Sequence, residues 1–140
     1  MRKTATAFIA AAGAVVLLAP AAPASAHHAF SAEFDANRPL QLTGTVARTA
    51  WINPHSWIHV DVTGDDGTVT TWAIECGAPN SLMRRGLNKN SIPTGTELVI
   101  DGFGAKDGSN TANARDITFP DGSRFFVGSS GTGAPYERNR

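Results

Sequence analysis

Alternating apolar and polar residues between Leu40 and Val127 predict a small β protein. In the clearest run the inward positions are Ile58, Val60 and Val62, and the outward positions are Trp57, His59 and Asp61. The pair Asp66-Gly67 then predicts a hairpin turn, because Asp-Gly favours the positive φ that such turns need. The next run predicts a third strand, on which Glu75 points outward and lies opposite either Trp57 or His55, depending on the register.

The order of the predicted elements defines the fold class. Strands at residues 40–46, 57–62 and 69–76 precede a short helix at residues 82–85, and strands at 97–103 and 115–119 follow it before a last apolar run at 125–127. This order predicts an all-β domain over residues 40–127 with one short helix, built as a small OB-like five-stranded barrel. A small β-sandwich is the alternative. Gly44, at an apolar position of the first strand, predicts a bend or a close backbone approach.

Residues 1–26 have the organisation of a Sec-type signal peptide. Arg2 and Lys3 form a positive start, an uncharged run follows from Ala5 to Ala19, and Ala24-Ser25-Ala26 supplies the small-x-small pattern that signal peptidase cleaves. The uncharged run is too short for a permanent helix across about 30 Å of hydrocarbon. We therefore expect a periplasmic or secreted protein that begins at His27 and keeps no stable membrane anchor after processing.

The segments that flank the predicted domain have little strand pattern. Residues 27–39 are predicted to form an N-terminal arm. Residues 128–140 are rich in Gly, Ser and charge and are predicted to be a disordered tail.

Charge and cysteine content restrict the possible partners. Loss of residues 1–26 would remove Arg2 and Lys3 and leave 10 basic and 12 acidic side chains, a formal net charge of −2. This balance argues against nucleic acid as a partner, because binding to a phosphate backbone relies on clustered positive charge. A single cysteine, Cys76, cannot form an internal disulfide, so apolar burial has to stabilise the domain.

Several motifs together resemble a family of small exported bacterial proteins that carries only a domain-of-unknown-function label. They are His27-His28-Ala29-Phe30, Glu33-Phe34-Asp35, Leu42-Thr43-Gly44-Thr45-Val46, Asn53-Pro54-His55-Ser56-Trp57-Ile58, Arg84-Arg85-Gly86 and Ala105-Lys106-Asp107-Gly108-Ser109. The resemblance spans almost the whole mature chain and implies no particular activity. Cys76 departs from the aliphatic residue expected at its position, and its inward parity predicts a buried, inert thiol.

The histidines carry the first functional hypothesis, which is a metal-binding protein with copper as the best candidate. A mature N-terminal His27 would offer both an amine and an imidazole, a natural chelate for Cu(II). His28 or His55 could supply a further nitrogen, and Glu75 could complete a site with His27 and His55. His55 and His59 are not expected to share an ion, because four residues along a strand span about 13 Å, and only a sharp bulge near Pro54 would bring them together. The alternative is that His27-His28 is a polar spacer that suits signal peptidase.

The second hypothesis is a non-metal binding module for a glycan, a peptide or an envelope protein. Trp51 and Trp57 flank the Asn-Pro-His turn and, with His59, could form a ligand face, although such residues also serve to cover the end of a small barrel. The chain shows no nucleophile motif, no phosphate-binding loop and no paired catalytic carboxylates. The sequence therefore favours a binding role over an enzyme.

Overall fold

The computed structural model describes residues 30–137, which form six strands and three short helical segments. The strands are β1 (Phe34–Ala50), β2 (Trp57–Thr63), β3 (Val69–Glu75), β4 (Glu97–Ala105), β5 (Thr111–Thr118) and β6 (Arg124–Phe126). The helical segments are α1 (Phe30–Glu33), α2 (Pro79–Arg84) and a 3-10 turn at Pro135–Glu137. The predicted small all-β fold is confirmed, with α2 between β3 and β4, although three helical segments are present where one was predicted.

The long strand β1 pairs with two neighbours in succession. Its middle is antiparallel to β4, with Leu42 opposite Ile100, and its end is antiparallel to β2, with Thr49 opposite Ile58. Around Gly44 the chain passes so close to β2 that a Cβ atom there would lie 2.9 Å from the carbonyl oxygen of Asp61. The close backbone approach predicted at this glycine is therefore confirmed.

A parallel pairing between β3 and β5 closes five of the strands into a ring. The antiparallel order β3-β2-β1-β4-β5 brings the two end strands together, and residues 73–75 of β3 then pair with residues 111–113 of β5. β6 pairs with β5 and lies outside the ring. A ring of five strands is the arrangement that the OB-like prediction requires, and the strands belong to one connected sheet instead of the two packed sheets of a sandwich.

Apolar side chains form two clusters in this fold. The larger cluster lies among the five strands of the ring and includes Val46, Ile58, Val60, Ile74, Leu98, Ile100 and Ile117. The smaller one joins the two ends of the described chain and comprises Phe30, Phe34, Phe103, Ala105, Ala134 and Tyr136. The second cluster attaches both terminal segments to the sheet.

The structure corrects the predicted boundaries at both ends. Within the predicted arm, residues 27–39, α1 and the first part of β1 are ordered, and Phe30 and Phe34 are each buried. The predicted tail, residues 128–140, contains buried residues and the 3-10 turn as far as residue 137, because the ring of Tyr136 packs against Phe126 with 5.2 Å between ring centroids. Residues 27–29 and 138–140 lie outside the described residues.

The strand parity is right in β2 and misleading at the end of β3. Ile58 and Val60 are buried as predicted. Glu75 shares its face with Trp57, its cross-strand partner, so it does point away from the ring interior. However, Glu75 is only 5% exposed. The outward direction of Glu75 therefore does not expose it to solvent, because the chain after β6 covers this part of the outer face.

We expect Val60→Ala and His59→Ala, neighbours on opposite faces of β2, to differ in their effect on stability. Val60 is fully buried, so its truncation should lower the free energy of unfolding by about 1–3 kcal/mol through lost burial and a residual cavity. His59 is half-buried on the outer face, and its truncation should cost roughly 0.5 kcal/mol. Chemical denaturation measures both, and the reverse ranking would contradict the orientation of β2.

Candidate functional site

The turn between β1 and β2 places His55 beside the end of β3. The peptide bond between Asn53 and Pro54 in this turn is cis. The N–H of Ser56 donates to the carbonyl of Gly77 (3.0 Å), and the N–H of Cys76 donates to the carbonyl of Ser56 (2.8 Å). These two backbone hydrogen bonds extend the β2–β3 pairing beyond the strand ends. They fix the turn against β3, so the side chains of His55 and Glu75 lie side by side.

His55 and Glu75 form the centre of the candidate site. The Nδ1 atom of His55 lies 3.3 Å from Oε1 of Glu75, and their side chains are 11% and 7% exposed. Of the two partners predicted for Glu75, Trp57 is its cross-strand neighbour, whereas His55 is the residue that its carboxylate contacts through Nδ1. The contact is an ion pair when the imidazole is protonated. A pair so far withdrawn from water needs further polar partners, because burial of an uncompensated charge is costly.

Asn113 and Tyr136 supply such partners. The parallel β3–β5 register sets Glu75 opposite Asn113, whose Nδ2 donates to Oε1 of Glu75 (3.2 Å). The hydroxyl of Tyr136 lies 3.2 Å from Oδ1 of Asn113 and 3.1 Å from the carbonyl oxygen of Ser129, and its single proton is shared between these two acceptors. Burial raises the pKa of Tyr136 to about 12. The phenol therefore stays a neutral donor throughout the physiological pH range.

The chain after β6 forms the cover of this site. Ser129 donates from its hydroxyl to the carbonyl oxygen of Cys76 (3.3 Å), and Thr132 donates from its hydroxyl to the carbonyl oxygen of Ser129 (3.4 Å). Next to this cover lies a pocket of about 230 Å³ lined by Pro54, His55, Ala78, Ser81, Ser129 and Ser130. His55 thus contributes to the wall of a pocket that also contains three serine residues, while its Nε2 atom is itself buried.

The first described residue is attached to the same cover. The N–H of Phe30 donates to the carbonyl oxygen of Thr132 at 2.7 Å. The side chain of Phe30 packs in the smaller apolar cluster and meets Phe103 edge-on, with ring centroids 5.3 Å apart. Thr132, which holds the first described residue, lies two positions after Ser130 in the sequence. Ser130 in turn lines the His55 pocket.

The residues of the predicted ligand face occupy different environments. Trp51 packs against the main apolar cluster, and its indole Nε1 is buried without a hydrogen-bond partner among residues 30–137. Trp57 and His59 lie half-buried on the outer face of β2. Burial and, to a smaller extent, the nearby charge of Arg48 lower the pKa of His59. None of these three residues lines the His55 pocket.

The described part of the chain holds only part of the predicted metal set. Among residues 30–137 no three His, Cys, Asp or Glu side chains come together in a way that could hold a metal ion. His55 and Glu75 are adjacent, whereas His27 and His28 lie outside the described residues. Cys76 is fully buried, as predicted, and burial raises the pKa of its thiol well above the usual range, so it stays protonated and unreactive.

Three residues of the site were missed in the sequence: Asn113, Ser129 and Tyr136. Asn113 lies where the pattern predicted the interval between a polar turn and the fifth strand. Ser129 and Tyr136 lie in the predicted tail. The one available signal was Tyr136 itself, the only tyrosine of the chain and a large, partly apolar side chain in an otherwise small and polar segment.

Fold and site together define a small all-β protein with a buried histidine–carboxylate pair beside a surface pocket. The chain belongs to the family of unknown function DUF6152, which matches residues 14–114. The match includes His55, Glu75 and Asn113 and ends before Ser129 and Tyr136. No curated protein and no solved structure matches the chain. None of the helices formed by residues 30–137 has the length and apolar character needed to span a membrane.

We expect Tyr136→Phe to destabilise the fold although it removes a single oxygen atom. The change leaves Oδ1 of Asn113 without the donor described above and takes one donor from the carbonyl of Ser129, which should lower the free energy of unfolding by about 1–3 kcal/mol. Ser123→Ala is the control, since its hydroxyl donates to the exposed side chain of Asp121 and its loss should cost roughly 0.5 kcal/mol or less. Urea denaturation with equal midpoints for Tyr136→Phe and the unmodified protein would show that the hydroxyl contributes nothing.

Proposed function

We propose that this protein is an exported binding protein that holds one Cu(II) ion through the processed N-terminal His27 and through His55. The observation that carries the proposal is the position of Phe30, which is bonded to the loop that also lines the His55 pocket. The proposal joins an imidazole held at the edge of the fold to a terminal chelate that proteolysis would create.

The chemistry of the terminal residue suits a borderline metal. An N-terminal histidine offers its amine and its imidazole from one residue, and nitrogen donors of this kind favour Cu(II) among the divalent metals. The free amine has an ordinary pKa of about 7.7–8.0, so a metal can displace its proton near neutral pH. In the uncleaved chain the same nitrogen belongs to a peptide bond with Ala26 and is not a ligand.

The attachment of Phe30 limits how far His27 can lie from the pocket. Three residues of fully extended chain span about 10 Å at most. Phe30 is anchored on Thr132, and Ser129 and Ser130 of the same loop line the pocket with His55. This attachment supports a site in which the terminal chelate and the imidazole of His55 share one ion. His28 is the alternative source of the third nitrogen.

The need for donors from outside the described residues also supports this arrangement. His55 and Glu75 are two groups, and no third His, Cys, Asp or Glu side chain within residues 30–137 joins them in a metal-binding geometry. The amine and imidazole of His27 would add two nitrogen donors to the imidazole of His55. A site of this composition exists only in the processed protein.

Copper titration of protein that begins at His27 tests the proposal. One added alanine before His27 separates the amine from the histidine side chain and should weaken Cu(II) binding at least about tenfold, or ~1.4 kcal/mol. His55→Gln should weaken it similarly, because an amide can still donate to Glu75 but is a poor copper ligand. His59→Gln, on β2 and away from the pocket, is the matched control and should bind as the unmodified protein does.

The pattern of affinities identifies the ligands. A loss caused by His28→Ala in place of His55→Gln would assign the third nitrogen to His28. Equal affinity for the unmodified protein, the alanine extension and His55→Gln would contradict the proposal. The far-ultraviolet circular dichroism of each variant without metal shows whether the fold is retained.

Processing is the first requirement, and we expect the exported protein to begin at His27. Ala24 and Ala26 occupy the positions that signal peptidase reads, three residues and one residue before the cut. Intact-mass analysis of the protein recovered from a periplasmic fraction measures the start. Retention of residues 1–26 would contradict both the proposed location and the terminal ligand.

A non-metal binding module remains the second candidate, and the outer face of β2 favours it. Trp57 and His59 lie half-buried there, next to each other on one side of the strand. A partly exposed indole beside an imidazole can stack on a sugar or anchor a protein partner. Trp57→Ala should then abolish capture of a glycan or envelope protein by the exported protein while copper affinity stays the same. Capture that survives this substitution would count against the second candidate.

A further inference from the structure

The carboxylate of Glu75 lies between two nitrogen atoms. Its Oε1 atom is 3.3 Å from Nδ1 of His55 and 3.2 Å from Nδ2 of Asn113. Both nitrogen atoms therefore approach the same oxygen from residues that belong to different parts of the fold, the β1–β2 turn and β5. The position of this oxygen is set by the strand register, since Glu75 pairs with Asn113 in the short parallel β3–β5 contact.

The amide of Asn113 has only one orientation that suits both of its neighbours. With Nδ2 toward Glu75, the amide donates to a carboxylate and leaves Oδ1 to accept from the Tyr136 hydroxyl. The flipped amide would set Oδ1 against the carboxylate, which brings two acceptors together in a buried place. Because Tyr136 stays protonated, it can act as the donor that this orientation requires.

We infer that Glu75, Asn113 and Tyr136 are positioning residues that hold His55 in its Nδ1–H tautomer, the form in which the lone pair lies on Nε2, itself a buried atom. A histidine that binds a metal through one ring nitrogen commonly donates the proton on the other to a carboxylate, which orients the ring and raises its basicity. The geometry thus assigns Glu75 an orienting role and not the place among the metal ligands that the sequence suggested. The identity of the ligand rests on the proposed function, whereas the tautomer does not.

The inferred set reaches from the pocket to the C-terminal segment. His55 contacts Glu75, Glu75 contacts Asn113, and Asn113 contacts Tyr136. Tyr136 also donates to Ser129, in the loop whose residue Thr132 accepts from the N–H of Phe30. Residues 129–136 therefore orient the imidazole on one side and hold the start of the described chain on the other.

The tautomer of His55 can be read directly in metal-free protein. A long-range ¹H–¹⁵N correlation spectrum of protein labelled with ¹⁵N-histidine distinguishes a protonated Nδ1 from a protonated Nε2 in each neutral ring, and His55→Gln assigns the His55 signals by their loss. We expect His55 to carry its proton on Nδ1 in the unmodified protein. A proton on Nε2 would overturn the inference whatever the protein binds.

Two substitutions of Glu75 separate orientation from packing. Glu75→Leu removes the acceptor at similar volume, and His55 should then lose its Nδ1–H preference. Glu75→Gln keeps an acceptor oxygen and should retain that preference. Identical tautomers in Glu75→Leu and the unmodified protein would contradict the inference, and if Glu75→Leu does not fold, the tautomer of the unmodified protein alone decides.

Copper titration of Glu75→Leu and Tyr136→Phe distinguishes this inference from the proposed function. Loss of an orienting partner typically weakens metal binding about 10–100-fold, and we expect Tyr136→Phe to have a smaller effect than Glu75→Leu because it acts through two further residues. An Nδ1–H tautomer without any copper binding would support the positioning role and contradict the proposed copper site. Copper binding by a protein that carries its His55 proton on Nε2 in the metal-free state would support the proposed function and overturn the positioning role.

Discussion

The short parallel pairing between β3 and β5 is the contact on which both the fold and the site depend. It closes the antiparallel strands into a ring, and Ile74 and Ala112 at its centre are both fully buried. The same register sets Glu75 opposite Asn113 on the other face. The same three residue pairs therefore contribute to the buried interior of the ring on one face and to the hydrogen bond with the buried carboxylate on the other. A shift of one residue would exchange the two faces, placing charge inside and apolar side chains outside.

The segment after β6 changes the chemistry of that outer face. It covers Glu75 and Asn113, and its Tyr136 packs against Gly128, where a Cβ atom would lie 2.7 Å from the tyrosine ring. Withdrawal from water strengthens each polar contact and makes each missing contact more costly. The cover therefore gives the His55–Glu75 pair a defined geometry that an exposed pair would not keep, because exposed ion pairs contribute little.

Local patterns in the sequence predict the parts of the fold that local physics controls. Alternation located Ile58 and Val60 in the core, and the Asp66-Gly67 turn led to the cross-strand pairing of Glu75 with Trp57. Burial of Glu75 could not be predicted in this way, because its partner Asn113 is 38 residues away and its cover lies further still along the chain. The composition of residues 128–137 was also misleading. Gly and Ser there predict disorder, whereas in the fold they are the small neighbours that the tyrosine ring needs. The hypothesis that His55 lies near Glu75 rested on hairpin register, which is a local property. That part of the site could therefore be predicted from the sequence.

The proposed site divides its ligands between a folded domain and a terminus made by proteolysis, and this division has a physical consequence. His55 is held by strand pairing, by Glu75 and by the C-terminal segment, so its orientation is set when the ring closes. A preorganised ligand loses little freedom on binding. The other donors of the proposed site belong to residues before Phe30. On the proposed function, those residues gain their chelating amine only when the signal peptide is removed. Export, cleavage and metal binding would then be ordered by the covalent state of one nitrogen atom, the amine that cleavage before His27 would release.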